Sequence, residues 1–274
     1  MPEITSKSNI TSKDALDFHK NGKPGKLQIS ATKPLATARD LSLAYSPGVA
    51  FPCLEIEKNP DAAYDYTAKG NMVAIISNGT AVLGLGKLGA LASKPVMEGK
   101  AVLFKRFADI DGIDIEVDTS DADEFVNCVK YLGKSWGGIN LEDIAAPECF
   151  IIEQKLSEKL DIPVFHDDQH GTAIVATAGV LNALTITGRD IKNFKMVVNG
   201  AGAAGIACVE LLKAMGMPSN NVIMCDRKGV ISKDRTNLDQ WRSAHAAETS
   251  HKTLKDALKG ADIAFGLSAK GAFT

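Results

Sequence analysis

The chain has 274 residues, of which 45% are hydrophobic and 23% are charged, and its formal net charge is −2 with a sequence pI near 6.2. This balance excludes a disordered chain and a strongly basic surface of the kind that binds nucleic acids. The length predicts about two domains of ordinary size.

Cysteine usage and the lack of long apolar segments predict a cytoplasmic protein without a membrane partner. No cysteine pair has C-x-x-C or zinc-binding spacing, which is typical of reduced thiols in a cytosol. The first residues lack the apolar segment of a signal peptide, and no run approaches the roughly 18 apolar residues of a membrane span.

The first predicted elements are a short helix and a pair of strands. Residues 11–14 have the pattern of a helix-start capping box, and turn residues from Asn21 end that helix. The segment that follows, up to about Val49, is predicted to be irregular. Apolar runs at 72–77 and 81–86 flank an Asn-Gly turn, and they predict a hairpin of two strands.

Helices and strands alternate in the next part of the chain. Periodicity predicts helices over 94–107 and 122–132, with a strand over 113–117 between them. The strand that follows runs into Glu142-Asp143. Pro147 suits the start of a further helix, over 149–160. This β-α-β alternation predicts a parallel sheet.

Two carboxylate doublets predict a metal site. Glu142-Asp143 follows one predicted strand, and Asp167-Asp168 follows the strand over 162–166. Open α/β sheets bind ligands at the carboxyl ends of their strands, and hard cations such as Mg²⁺ or Mn²⁺ prefer oxygen ligands. Either doublet alone could be a solvated loop, but two at strand ends favour a metal.

A glycine-rich loop predicts dinucleotide binding. Small residues over 171–178 predict a tightly packed helix, near which we place a domain boundary. A strand over 195–199 then enters a G-x-G-x-x-G motif that opens a helix, and a second strand ends at Asp226. An isolated motif of this kind could be a turn without a ligand, but here strand, loop, helix and acid agree. The motif residues are Gly200, Ala201, Gly202, Ala203, Ala204 and Gly205.

The choice between NAD and NADP stays open at this point. Asp226 could accept hydrogen bonds from a ribose diol, which favours NAD, whereas Arg227 and Lys228 could pair with a 2′-phosphate. After a predicted helix over 253–259 and a strand over 262–267 the chain ends, which is early for a doubly wound domain. We therefore expect a truncated sequence.

Four segments resemble motifs of bacterial malic enzymes, and the resemblance extends over nearly the whole chain from about Phe18. The tyrosine motif, the glycine-rich segment, the lysine motif and the acidic segment occur in the family's order at 44–50, 78–89, 95–100 and 165–173. The resemblance implies an α/β fold, with a catalytic and metal-binding domain over 1–167 that contains a mixed sheet. An incomplete Rossmann-type doubly wound domain over 168–274 follows it.

The resemblance also implies an activity. Malic enzymes convert L-malate to pyruvate and CO₂ by metal-dependent oxidative decarboxylation, with Mg²⁺ or Mn²⁺ and a nicotinamide cofactor. Here we expect NADP rather than NAD, and a homodimer or a larger homo-oligomer. Two alternatives stay open, which are oxaloacetate decarboxylation without net redox chemistry and a non-catalytic fragment that dimerises or binds. Some bacterial members of the family carry a further, carboxyl-terminal phosphotransacetylase-like domain.

Matching motif by motif assigns the expected site residues. Lys100 corresponds to the general base, which must be neutral to act, and Tyr45 to the general acid. The ligand positions of the family fall on Glu142, Asp143 and Asp168, whereas Asp167 is expected to be a catalytic carboxylate that orients water, the lysine or a ligand.

One departure concerns malate binding. Larger members of the family carry an arginine for a malate carboxylate near Ala81. Ser46, Asn78 and Lys94 are weak substitutes.

Overall fold

The computed structural model describes residues 10–268 and 271–273, and it has an α/β fold made of two compact units. The first unit comprises Met1–Asn140 with Ser157–Val164, and the second comprises Leu141–Leu156 with Phe165–Thr274. The predicted domain boundary between residues 167 and 168 stays a prediction.

The described part of the chain begins with short helices that precede the first sheet. Their bounds are α1 Ser12–Lys20, α2 Ala38–Ala44, α3 Ala50–Lys58 and α4 Ala63–Tyr66. Helix α1 has the predicted capping box between Thr11 and Asp14. Helix α2 lies in the segment that was predicted to be irregular, and that prediction is wrong. Thr37 and Asp40 form a second capping box there, which stabilises a helix of only two turns.

The first sheet has the strand order β2-β1-β3-β4, and helices connect its strands. The strands are β1 Met72–Ser77, β2 Asp111–Glu116, β3 Gly138–Leu141 and β4 Val164–His166. The helices are α5 Ala90–Ala108, α6 Ala122–Leu132 and α7 Glu148–Lys159. Strands β1 and β2 run parallel, as predicted from the alternation. In the core, α5 packs Met97 and Ala101 against Ile75 of β1.

The predicted hairpin over 72–77 and 81–86 is wrong in its second strand. Residues 81–86 form turns with a single antiparallel bridge between Val82 and Gly86. Leu83 and Gly84 both have positive φ, which breaks an extended strand, and β1 pairs with β2 instead.

Helix α8 spans Asp167–Thr187 and is longer than the predicted small-residue helix. Among the described residues it is the one helix that is long and apolar enough to cross a membrane, so the prediction that no such stretch exists is wrong. Length and composition are weak evidence, because core helices of soluble proteins pass the same test.

The second sheet has the strand order β7-β6-β5-β8. Its elements are β5 Met196–Asn199, α9 Ala203–Ala214, β6 Val222–Asp226, β7 Gly229–Val230, α10 Gln240–Ser243, α11 Leu254–Ala257 and β8 Ile263–Gly266. Strand β5 lies parallel to both β6 and β8, as a Rossmann-type half requires, while β7 is antiparallel to β6. The predicted strands that become β5, β6 and β8 are confirmed within a residue or two at each end.

Candidate active site

Two carboxylates directly follow strand β3, and a third lies in the first turn of α8. Glu142 and Asp143 are each 5% exposed. Asp168 is the second residue of α8, and 36% of its side chain is exposed. One oxygen atom of each of these three carboxylates lies within 4.8 Å of the others. All three residues belong to the second unit.

The donor set of this carboxylate cluster fits a hard divalent cation. Negative oxygens this close repel one another, and two of the residues are almost completely removed from water, so a cation would offset a large cost. Carboxylate oxygens are the ligands that Mg²⁺ and Mn²⁺ prefer. The structure therefore brings Glu142, Asp143 and Asp168 together, and their binding of a metal stays a prediction.

The backbone of Asp143 links the two halves of the cluster. Its N–H group donates a hydrogen bond of 2.9 Å to Oδ2 of Asp168. Its φ of 54° lies in the left-handed region, which costs a residue other than glycine of order 1 kcal/mol. The backbone of Asp143 is thus strained and also bonded to Asp168, which indicates that the surrounding structure holds Asp143 in this conformation.

His166 is completely buried at the end of β4. Neither of its ring nitrogens makes a hydrogen bond to a described residue, although Nε2 lies 3.5 Å from Oδ2 of Asp168. Burial lowers the pKa of His166, and the opposing effect of Asp168 and Glu153 is smaller. The ring is therefore neutral at neutral pH.

Asp167, the first residue of α8, is half-buried and folds back along its own helix. A methyl group added to Gly171 would lie only 2.3 Å from Oδ1 of Asp167. The glycine thus makes room for the carboxylate, and Asp167 is placed beside Asp168 in sequence but is not in the carboxylate cluster of the described residues.

The glycine-rich loop joins β5 to α9 as predicted. A side chain at Gly205 would lie 1.8 Å from the carbonyl oxygen of Gly200, so the loop closes only because Gly205 has none. Gly200 has a φ of 131°, which also requires glycine. At Gly202, by contrast, an added methyl group would meet no atom within 4 Å, which leaves room for a ligand.

The amino terminus of α9 is suited to an anion. Gly202 is its N-cap residue, and within the described residues no side chain caps this end. The first backbone N–H groups of a helix lack partners in the helix, and the helix dipole favours negative charge there. The loop over residues 200–205 therefore fits a pyrophosphate group.

The predicted acid–base pair lies on two helices of the first unit. Lys100 is half-buried in α5, and Val96 and Phe104, one turn before and after it, pack against the core. Tyr45 ends α2 and is 72% exposed. The structure places both residues but does not test their predicted roles.

Lys94 is not available as a simple anchor for malate. Its Nζ lies 2.5 Å from Oδ2 of Asp114 and 3.4 Å from Oε2 of Glu116. Burial and the neighbouring Asp114 raise the pKa of Glu116 to about 7. Burial also opposes ionisation of Asp114, but hydrogen bonds from Glu116 and Lys94 outweigh it and lower the pKa of Asp114.

Two family models match the chain. The malic enzyme N-terminal domain matches residues 24–157, and the malic enzyme NAD binding domain matches residues 169–271. A solved NAD-dependent malic enzyme from Thermotoga maritima is 43% identical, with a TM-score of 0.87, and the match covers 95% of this chain and 69% of that one. The chain belongs to the malic enzyme family.

Malic enzymes of known sequence also match at high identity. The NADP-dependent malic enzyme of Rhizobium meliloti (strain 1021) is 70% identical over 97% of this chain and 35% of its own length. That of Salmonella typhimurium is 63% identical over 93% of this chain and 34% of its own length. The chain therefore spans about a third of the length of these two malic enzymes.

Arg235 pairs with the predicted cofactor-binding residue Asp226, and the sequence analysis missed it. Its Nη1 and Nη2 atoms each donate a hydrogen bond of 2.9 Å to one oxygen of Asp226. Burial opposes ionisation of Asp226, but the bonds from Arg235 and from the N–H of Lys228 outweigh it and lower the pKa of Asp226. No local motif marks Arg235, which lies nine positions beyond Asp226 in a loop.

Arg242 is a second missed residue near the predicted nucleotide loop. Its Nε donates a hydrogen bond of 3.1 Å to the carbonyl oxygen of Ala201. Asp239 lies 3.5 Å from its Nη1. A guanidinium group beside the glycine-rich loop adds positive charge where a pyrophosphate would bind. Arg242 and Ala201 are separated by 41 positions in the sequence, so no spacing rule could have found this contact.

Proposed function

We propose that this chain carries the site for metal-dependent oxidative decarboxylation of L-malate to pyruvate and CO₂, with reduction of NADP⁺ or NAD⁺. The observation that carries the proposal is the carboxylate cluster of Glu142, Asp143 and Asp168, which lies in the same unit as the glycine-rich loop. Membership of the malic enzyme family supports it.

The proposed reaction needs one base and one acid from the chain. Lys100 accepts the proton of the C2 hydroxyl group as hydride leaves C2 for the nicotinamide ring. Glu142, Asp143 and Asp168 would hold the divalent cation, which would supply a Lewis acid for the oxygen at C2. The C3–C4 bond then breaks and CO₂ leaves. The electron pair of that bond remains in the enolate of pyruvate, and Tyr45 donates a proton to C3 of this enolate. Asp167 orients a water molecule, Lys100 or a ligand of the site.

We propose NADP as the preferred cofactor. Both oxygens of Asp226 accept hydrogen bonds from Arg235, and Oδ1 also accepts one from the N–H of Lys228. Most acceptor positions of Asp226 are therefore filled, and its negative charge is offset, which makes it a poorer partner for a ribose diol. Arg227 is exposed next to it and can pair with a 2′-phosphate. The NADP-dependent relatives support this preference.

We propose that the protein forms a homodimer or a larger homo-oligomer through α1, α2 and α3. In these helices, which the structure describes in full, no residue is buried. Leu16, Phe18, Leu41, Leu43 and Phe51 are each at least 60% exposed. A second copy would cover this apolar surface.

A cytoplasmic location without nucleic-acid or membrane partners also stays a proposal. All five cysteines lie in the described part of the chain and are free thiols, which suits a reducing compartment.

The test is the absorbance of reduced nicotinamide formed from L-malate, with Mn²⁺ and either NADP⁺ or NAD⁺ in separate reactions. Lys100→Ala should lower the rate by roughly 100-fold or more, because the general base is removed. Lys105→Ala, which removes an exposed lysine of the same helix, should not lower it. Equal rates in the two variants would contradict the assignment of Lys100. Oxaloacetate consumption without reduced nicotinamide would instead favour a decarboxylase.

A further inference from the structure

Glu153 is a largely buried carboxylate of α7 to which the proposed reaction gives no role. Its side chain is 15% exposed, and it accepts hydrogen bonds from three donors. The backbone N–H of His166 donates to Oε1 at 2.9 Å, and Nε2 of His170 donates to the same oxygen at 2.7 Å. The side-chain amide of Gln169 donates to Oε2 at 3.0 Å.

The three donors lie on both sides of the proposed metal ligand Asp168. His166 is the last residue of β4 and the N-cap of α8, while Gln169 and His170 follow Asp168 in the first turn of that helix. Glu153 thus holds the backbone before Asp168 and the side chains after it. All of these residues belong to the second unit.

The N-cap side chain of His166 does not stabilise the amino terminus of α8, because within the described residues it makes no capping bond. Glu153 of α7 instead holds this end of α8 through the backbone N–H of His166 and the side chains of Gln169 and His170. A negative charge is favoured at a helix amino terminus. Hydrogen bonds to an ionised carboxylate are also about twice as strong as neutral ones. Nε2 of His170 lies 2.7 Å from Oε1 of Glu153, so the ring of His170 is tied to α7 as well as to its own helix.

We propose that Glu153 is a positioning residue for the metal site, which holds Asp168 at the distance from Glu142 and Asp143 that the cation needs. Glu153 is not part of the carboxylate cluster, so it acts through Asp168 and not as a ligand. This inference rests on the proposed metal-dependent function. Groups that hold metal ligands in place typically change metal affinity by about 10–100-fold when they are replaced.

The test measures Mn²⁺ binding by the whole chain without malate or cofactor, from the electron paramagnetic resonance signal of free Mn²⁺. Glu153→Gln keeps the size of the side chain but places an NH₂ group against a donor, and we expect at least a roughly 10-fold weaker Mn²⁺ affinity. Glu158→Gln, on the exposed part of the same helix, is the matched control and should bind as the unaltered chain does. Asp168→Asn removes a charged ligand oxygen, and its Mn²⁺ affinity shows how large the effect of losing one metal ligand is.

A kinetic measurement separates positioning from ligation. With saturating Mn²⁺, Glu153→Gln should recover most of its kcat, because the ligands are all present, whereas Asp168→Asn should not recover. If Glu153→Gln does not fold, His170→Ala decides, since that side chain is 44% exposed and its loss leaves the core intact. Severalfold weaker Mn²⁺ binding by His170→Ala supports the proposal.

Two results would overturn the inference, and they are distinguishable. Unchanged Mn²⁺ affinity in Glu153→Gln, or in His170→Ala where that variant decides, means that Asp168 is held without Glu153. Failure of the unaltered chain to bind Mn²⁺ means that the proposed metal site itself is wrong, and the role of Glu153 is then wrong with it.

Discussion

At the scale of single residues, Arg235 changes what Asp226 can do. An acid at the end of the second strand of a dinucleotide fold usually accepts from the ribose diol and repels a 2′-phosphate. Here the bidentate contact with Arg235 offsets that charge, and only 19% of the Arg235 side chain is exposed. In the fold, Asp226 is therefore a charge-compensated carboxylate and not the free acid that its position in the sequence predicts.

Replacement of Arg235 by leucine should reverse the cofactor preference. Without the guanidinium group, Asp226 is an uncompensated negative charge, so kcat/KM for NADP⁺ should fall by roughly 10-fold or more relative to that for NAD⁺. Arg189→Leu is the control, because Arg189 also pairs with an aspartate, Asp262, in the same unit. An unchanged ratio of the two kcat/KM values in Arg235→Leu would count against the proposed role.

Glu116 should make stability depend on pH. Its pKa is raised from 4.5 to about 7 in the folded chain, by burial and by Asp114. Between these pH values the folded chain retains a proton that the unfolded chain releases, so this contribution to stability falls as pH rises and is lost above about pH 7.

The variant Glu116→Gln tests this linkage. The melting temperature is measured at about pH 5 and at about pH 8, on either side of the titration of Glu116. The decrease in Tm between these two pH values should be smaller in Glu116→Gln than in the unaltered chain, by at least about 2 °C. Glu57→Gln, which removes an exposed carboxylate of the same unit, should leave that decrease unchanged. Equal pH dependence in Glu116→Gln and the unaltered chain would refute the linkage.

At the scale of elements, the turn between β5 and α9 depends on two different properties of glycine. Gly205 is required for packing against Gly200, whereas the space beside Gly202 is open. The close packing at Gly205 therefore concerns stability, whereas the open space at Gly202 concerns ligand binding.

Two alanine variants should separate these properties. Gly205→Ala should lower Tm, because the new methyl group meets the backbone of Gly200 and must displace it. Gly202→Ala should leave Tm nearly unchanged but weaken NADP⁺ binding, which calorimetry can measure. Gly179→Ala, in open space on α8, should preserve binding and raise stability by about 0.5 kcal/mol. Normal NADP⁺ binding by Gly202→Ala would contradict the proposed pyrophosphate site.

At the scale of the whole molecule, the amino-terminal helices carry apolar surface that none of the described residues buries. Phe51 is 73% exposed in α3, and Phe18 is 71% exposed in α1. The general acid proposed for the reaction, Tyr45, is 72% exposed at the end of α2. Association through these helices would also remove Tyr45 from water.

Phe51→Glu should weaken self-association without unfolding the chain, because Phe51 is 73% exposed. Light scattering coupled to size exclusion should show a smaller particle for Phe51→Glu than for the unaltered chain at equal concentration. Tyr131→Glu, which changes a 79% exposed aromatic side chain in α6, is the control and should have no effect on mass. Unchanged mass in both variants would exclude α3 as the contact.

The sequence determined the features that depend on local periodicity and backbone chemistry. The alternation of apolar runs predicted β1, β5 and β6, and the glycine spacing predicted the turn at Gly200, because each is specified by neighbouring residues. The sequence failed where positive φ angles interrupt an apolar run, as at Leu83, and where a capping box stabilises a two-turn helix, as at Thr37.

Only the tertiary structure decided which distant groups meet. Arg235 on Asp226, Arg242 on Ala201 and Glu153 on the start of α8 are contacts between segments that no spacing rule connects. The sequence predicted the three carboxylates of the cluster, but their separation of 4.8 Å or less depends on the packing of β3 beside β4. Periodicity specifies elements, whereas the free energy of burial and charge compensation selects the partners of each side chain.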